Sequence, residues 1–304
     1  MDFEQLRVFL AVADTGGFAS AARHLRVSPP AVTRAIAALE QRLGARLLHR
    51  TTRLVRLTEV GARFSQDARR ILAELEEAEA SARGAHIEPQ GELSITAPVM
   101  FGRLHVAPVL LDFLAQHPKV NARILFIDRV VHLMDEGFDV ALRIAPLPDS
   151  AFTAARVGAV RRVVVASPDY LARHGEPASP AELPAHTAVG FARTSGEPAP
   201  WTFAAPGDAV ERATAQPRTR LMVNTVDVAI DAAIAGNGLV RLLSYQVRAP
   251  IAEGRLRRVL QPFEPPPVPV HLVYPEGRKA AAKVRAFVDF AAQRLRGHPA
   301  LGEG

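Results

Sequence analysis

Residues 28–44 read Ser-Pro-Pro-Ala-Val-Thr-Arg-Ala-Ile-Ala-Ala-Leu-Glu-Gln-Arg-Leu-Gly, and the rest of the N-terminal reading is built outward from this stretch. Val32, Ile36, Leu39 and Leu43 recur at the three- and four-residue spacing of one helix face. Ser28 followed by Pro29 is a helix start, with the hydroxyl expected to accept an orphan amide and proline placed where no hydrogen bond is lost. Gly44 ends the helix.

Upstream, Phe3, Leu6, Phe9, Leu10 and Ala13 form a first helical face that Gly16-Gly17 ends. Phe18, Ala21, Ala22 and Leu25 make a short second helix, joined tightly through Arg26-Val27 to the third. Three short helices with the last two so connected meet the requirements of a helix-turn-helix, although periodicity alone fits a generic three-helix bundle equally well. Charge separates the two. Residues 20–56 hold eight arginines (23, 26, 34, 42, 46, 50, 53 and 56) against the single acid Glu40. That net +7 exceeds the +6 of the whole chain, so it is a local footprint for phosphates, not a diffuse compositional bias. Thr33 and Arg34 lie off the buried stripe near the start of the third helix, where base edges are met. Leu47-Leu48 and Leu54-Val55-Arg56-Leu57 flank a polar tip as in a small hairpin, with Arg50 and Arg53 placed for a phosphate or minor groove.

Thr58 caps a fourth helix with Glu59 in its first turn. Val60, Phe64, Ala68, Ile71, Leu72, Leu75, Ala78 and Ala82 continue at helical spacing. This apolar face is longer than a small finished module can cover, which favours pairing with a second subunit over packing on its own domain. The expected divisions are a DNA-binding domain over 1–58, a linker and dimerisation helix over 59–85, a hinge over 86–91 and an effector-binding domain over 92–304.

Beyond the hinge, strands alternate with helices. Leu93–Ala97, Val120–Ile127 and Val140–Ile144 read as strands; Phe101–Gln116 and Val130–Glu136 read as helices. Arg162–Ala166 opens a second lobe with helices over 169–173, 226–235 and 245–252. Five prolines in Pro262–Pro269 suggest an extended crossover, before a strand over His271–Tyr274 and a terminal helix over Lys279–Leu295. The expected lobes are about 92–161 with 268–304, and about 162–267, with ligands near the strand ends in the cleft between them. There is no phosphate loop, nucleophile elbow or H-E-x-x-H helix, and the ten histidines lack metal-ligand spacing. Neither an enzyme nor a cofactor is expected. Only three of the 37 basic residues are lysine, and the absence of cysteine excludes disulfides and thiolate chemistry. No signal-peptide pattern and no apolar run of roughly 18 residues stand out, so a cytoplasmic protein without a membrane partner is expected.

These features together resemble the LysR-type transcriptional regulators. The resemblance rests on Phe3–Ala13, Ala21-Ala22-x-x-Leu25, Val27-Ser28-x-Pro30-Ala31-Val32-Thr33-Arg34, Leu39-Glu40, Leu43-Gly44 and Arg50-x-x-Arg53-x-Val55-x-Leu57-Thr58-Glu59-x-Gly61. A looser match continues through Pro108, His117-Pro118, Gly137-x-Asp139-Val140-Ala141 and Gly236-x-Gly238. It implies an all-α winged helix-turn-helix with a long linker helix, and a two-lobed α/β effector domain similar to periplasmic binding proteins. The implied partners are double-stranded promoter DNA, a small-molecule effector, RNA polymerase, and further copies of the chain as a homodimer and homotetramer. Ser28, Pro29, Pro30, Thr33 and Arg34 would face the major groove, with Arg50 and Arg53 on the wing. Pro29 stands where the family often has a glutamine able to read adenine, Gly17 where serine is frequent, and Arg241 where an apolar residue followed by proline is more usual. The effector site by similarity comprises Pro98, Val99, Met100 and Phe101 at a helix start, Asp128 and Arg129, Phe191 and Arg193, and Thr225, with Arg143 as an added charge. A helix start near arginines points to an organic acid. A solute-binding receptor, or an enzyme with an appended DNA-binding domain, is the alternative.

Overall fold

The computed structural model describes residues 2–50, 55–82, 88–129, 131, 133–147, 152–191, 200–205, 208–275 and 281–302. The chain forms two units, Met1–Glu88 and Pro89–Gly304. In the first, α1 (Phe3–Thr15), α2 (Phe18–Leu25) and α3 (Pro29–Leu43) precede a hairpin of β1 (Leu48–Arg50) and β2 (Val55–Leu57), then α4 (Glu59–Ala82). Leu6, Phe9, Val32, Ile36, Leu39 and Leu47 are fully buried in one core. Each such side chain contributes about 1.5–3 kcal/mol on leaving water. Gly44 takes the expected left-handed position after α3, with φ 64°.

The first half of α4 belongs to this core. Ala68 and Leu72 are buried, Phe64 and Ile71 pack against it, and the Phe64 ring lies 5.4 Å from that of Phe9. Part of the stripe assigned to a second subunit is therefore used within the domain. Thr58 caps α4 as expected, its hydroxyl accepting from the Gly61 amide at 2.8 Å while donating to the Arg46 carbonyl at 2.8 Å.

In the second unit, a five-stranded sheet has the order β4-β3-β5-β14-β6. Its strands are β3 (Gly91–Ala97), β4 (Val120–Phe126), β5 (Val140–Ile144), β6 (Phe152–Val160) and β14 (Val268–Pro275). β3 is parallel to β4 and β5, and β14 is antiparallel to β5 and β6. A helical run packs on this sheet: α5 (Val99–Phe101), a π turn (Gly102–Val106) and α6 (Ala107–Gln116). α7 (Leu133–Glu136) follows β4, and α11 (Ala282–Arg296) returns to the same core. Val130 and Lys279, expected at helix starts, lie outside the described residues, as do residues 83–87 of the expected end of α4 and hinge.

The second lobe comprises β7 (Arg162–Ala166), α8 (Pro168–His174), β8 (Thr187–Phe191), β9 (Trp201–Ala205), β10 (Asp208–Ala215), β11 (Arg218–Val223), α9 (Val226–Ile234), β12 (Val240–Leu243), α10 (Ser244–Ala252) and β13 (Arg257–Val259). β12 and β13 flank β7 antiparallel, β8 runs parallel to β11, and an Ala188–Leu239 bridge joins the pairs. One residue, Arg161, connects β6 to β7; it is pinned to Ser244 by reciprocal bonds of 2.8 and 3.1 Å. The second crossover is shorter than expected, because β14 already starts at Val268. Pro269 is tolerated there: β5 joins β14 only from Val270, so one side of the strand is open at the proline.

Val99–Gln116 has 18 residues and a mean hydropathy of 1.2, long and apolar enough to cross a membrane, which corrects the expectation that no run does so. Its Phe101, Val106, Leu110 and Phe113 are spent on the sheet core instead. Gly102 faces Phe126 so closely that an added Cβ would fall 2.4 Å from the ring.

An added Cβ at Gly61 would lie 1.9 Å from the Leu47 carbonyl oxygen, a backbone atom that cannot swing away. Gly61→Ala is expected to destabilise the N-terminal unit by about 1–3 kcal/mol. Urea unfolding followed by α-helical signal should show an earlier transition for that unit, while Pro89–Gly304 unfolds as in the parent.

Candidate nucleic-acid interface and ligand cleft

The exposed face of α3 carries Pro29, Pro30, Thr33 and Arg34, with Ser28 exposed at its cap. Ser28 makes no side-chain cap bond, contrary to expectation. The two prolines that follow have no N–H to offer, and the next amide, of Ala31, is taken by the Ser28 carbonyl at 2.9 Å. The hydroxyl is thus left to the surface. Thr33 donates its hydroxyl to the Pro29 carbonyl at 3.1 Å, so outward it presents acceptor lone pairs. Arg34 adds a planar donor fork beside them.

Glu40 proves structural, a role that counting it as the lone acid did not show. Its carboxylate accepts from the amides of Leu47 (2.8 Å) and Leu48 (3.2 Å), fixing the entry to the wing. Arg23, Arg26, Arg34, Arg42, Arg46 and Arg56 are all exposed, and none pairs with an acid among the described residues. Among the described residues no acid neutralises these six charges. β1 and β2 form the expected wing, with Leu48 opposite Leu57 and Arg50 opposite Val55. The side chain of Arg50 and the whole of Arg53 lie outside the described residues.

In the second unit the expected ligand residues fall into groups. Pro98 caps α5, and Val99 is 46% exposed. Met100 and Phe101 are buried, with the Phe101 ring 5.1 Å from that of Tyr245 in the other lobe. The Val99 amide donates to Asp128 Oδ1 at 3.1 Å, so the helix start already holds a carboxylate. Arg129 pairs with Glu136, whose hydrogen bond raises the arginine's pKa. Arg143 donates to the Val131 carbonyl; desolvation lowers its pKa, partly countered by nearby Glu136. On the second lobe, Phe191 ends β8 half-buried beside Val223 of β11, and Thr225 follows as the exposed cap of α9. Arg193 lies outside the described residues.

Three residues not singled out for this site connect the groups. Arg103, on the π turn, reaches Asp227 of α9 at 3.3 Å and so spans the two lobes. Tyr245 is buried against Phe101 and His105, and desolvation with Asp128 nearby raises its pKa above the ordinary tyrosine value, against a bond of 3.2 Å from Gln246. A signal for Arg103 and Asp227 was absent, because their sequence separation is 124 residues.

A winged helix-turn-helix rich in exposed arginine, followed by a two-lobed α/β unit with polar residues gathered where the lobes meet, defines a ligand-responsive DNA-binding regulator. The comparisons with known proteins agree. The family model for the bacterial regulatory helix-turn-helix protein, lysR family, matches residues 3–62, and that for the LysR substrate binding domain matches residues 86–296. The chain belongs to the LysR family of transcriptional regulators. It is 36% identical over 298 residues to an HTH-type transcriptional regulator of Xanthomonas campestris pv. campestris, covering 97% of this chain and 86% of that one. It is 32% identical to the HTH-type transcriptional regulator CrgA of Neisseria meningitidis serogroup B, covering 96% of each. Among solved structures, CrgA matches with a TM-score of 0.60 at 31% identity, covering 98% of this chain and all of that one. The Vibrio cholerae virulence activator AphB matches with a TM-score of 0.60 at 26% identity, covering 96% and 99%.

His105, on the π turn, is buried with neither ring nitrogen hydrogen-bonded among the described residues, and burial with His298 beside it lowers its pKa to about 4. A folded-state pKa below the unfolded one means stability present above the ordinary histidine value and lost as pH falls through it. Urea unfolding between about pH 7 and about pH 5 should therefore show falling stability for the second unit, with a slope that His105→Phe reduces by up to one proton.

Proposed function

We propose that the chain reads promoter half-sites through the start of α3 and the wing, and that a small organic acid held between the lobes alters promoter binding and bending in the cytoplasm. Ser28, Thr33 and Arg34 read base edges, with Arg34 as the donor fork and Thr33 as the acceptor. Pro29 and Pro30 offer apolar contact to a thymine methyl and cannot replace an adenine-reading glutamine. Arg50 and Arg53 hold the backbone or minor groove from the wing. The observation carrying this reading is that six exposed arginines of residues 20–56 have no acidic partner among the described residues, one of them, Arg34, on the exposed face of α3.

The domain plan retains 59–85 as the dimerisation helix and 86–91 as the hinge. Support for pairing comes from Val60, 46% exposed on α4. Support for a tetramer comes from Leu111 on α6, 68% exposed, and from the edge strand β4, which leaves Ile124 and Leu125 on its two faces 40% and 46% exposed, an edge suited to a second copy. RNA polymerase is the partner through which a bent promoter is used. The effector contacts Pro98, Val99, Met100, Phe101, Asp128, Arg129 and Arg143 from one lobe, and Phe191, Arg193 and Thr225 from the other. Met100 and Phe101 contribute backbone only, since their side chains are in the core. Because Asp128 holds the Val99 amide, the acid is expected to be met by arginine and not by the helix start.

Anisotropy titrations of the full chain on promoter fragments test the DNA reading. Arg34→Ala should relax sequence preference by about 1–3 kcal/mol at one base pair. Arg53→Ala should weaken all sequences alike and lower the salt slope by about one. Unchanged binding by the double variant would refute the assignment.

A further inference from the structure

Arg241 departs from the family pattern, and its surroundings are unusual for a guanidinium. It lies on β12 opposite Val164, while Arg162 on β7 lies opposite Leu243. The two arginines are therefore diagonal neighbours on one face of an antiparallel pair, about 7–8 Å apart at the backbone. That face also carries Val164 and Ala166, which pack against Trp201. Arg241 sits over the Trp201 ring, 5.8 Å from its centroid, and gives one N–H to the Thr202 carbonyl at 3.1 Å. No acid pairs with Arg241 or Arg162 among the described residues. Burial, with the like charge of exposed Arg162 beside it, lowers the Arg241 pKa to about 10.

The location matters as much as the charge. Arg162 follows Arg161, the single-residue crossover between the lobes, and β12 runs toward that same end before Ser244 bonds back to Arg161. Both arginines thus stand at the end of the second lobe nearest the crossovers. Leaving a half-buried cation unpaired is costly, while a guanidinium pair matches the oxygens of a dianion in charge and in fork geometry.

We infer that Arg162 and Arg241 form an oxyanion site for a small dianion, an organic dicarboxylate or a phosphate. The site lies apart from the contacts proposed for the effector between the lobes, because the arginine face packs with Trp201 and the opposite strand face joins the core that the lobes share. Trp201 and the Thr202 carbonyl position the Arg241 guanidinium; the exposed Arg162 closes over the bound anion.

Calorimetric titration of the full chain with succinate, inorganic phosphate or acetate, at ionic strength balanced with chloride, tests the inference. Saturable one-site binding of succinate or phosphate is expected, weakened about tenfold or more by Arg162→Gln, which corresponds to about 1.4 kcal/mol. Succinate alone would make the source an organic acid; phosphate alone would make it a phosphate ester or free phosphate. Arg162→Gln is the deciding variant, because Arg162 is exposed and its loss should leave the fold intact. Arg241→Lys should retain part of the affinity that Arg241→Gln loses. No saturable binding of either dianion, equal affinity for acetate, or unchanged affinity in Arg162→Gln would overturn the site. Promoter binding without added anion, measured on the same samples, reports on the regulator reading independently: its loss would contradict that reading and leave the titration result standing.

Discussion

The N-terminal unit depends on what surrounds the backbone of Leu47. Its amide is held by the Glu40 carboxylate at the end of α3, and its carbonyl accepts from Thr58 at 2.9 Å. Gly61 closes against the same carbonyl with no room for a Cβ. Three elements are thereby tied at one residue: α3, the hairpin that starts at Leu48, and α4. The same bonds give the only acid of residues 20–56, the half-buried Glu40, two backbone amides as partners.

The second unit uses a different constraint. Its lobes share one core, in which Leu93, Ile95 and Phe101 lie with Val163, Val240 and Tyr245. Short crossovers at Arg161 and beyond Leu260 keep them close. The polar contact that joins them, Arg103–Asp227, is exposed and individually weak. A ligand acting on such contacts needs little energy to shift their balance.

Much of the first unit was legible in the sequence because its signals are local: helical spacing in α1–α4, Thr58 as a cap, Gly44 as a stop and the arginine cluster. The failure at Ser28 was also local, since the rule for a capping serine assumes amides that Pro29 and Pro30 lack. In the second unit, alternation disclosed β3, β4, β5, β7 and the middle of β14, but β6, β9, β10, β11 and β13 were missed. β6 runs Phe-Thr-Ala-Ala-Arg-Val-Gly-Ala-Val, with small and polar residues where a strand signal would need bulk, and it is a strand because β14 pairs along its length. Ligand residues were harder still. Met100 and Phe101 sit at the predicted helix start, yet packing with Tyr245 turns Phe101 inward, and Asp128 reaches Val99 across 29 residues. Such contacts depend on tertiary folding and leave no periodic trace. Arg241 was visible only as a departure from a pattern; its meaning required Trp201 and Arg162 beside it.

The central claim is that the frame set at Leu47 presents α3 and the wing to promoter DNA as one reading surface. Genome-wide footprinting of the full chain tests it most directly. The expected result is discrete protection at promoters, with paired half-sites about one helical turn, or a multiple of it, apart. Uniform protection without preferred sites, or none at all, would contradict it.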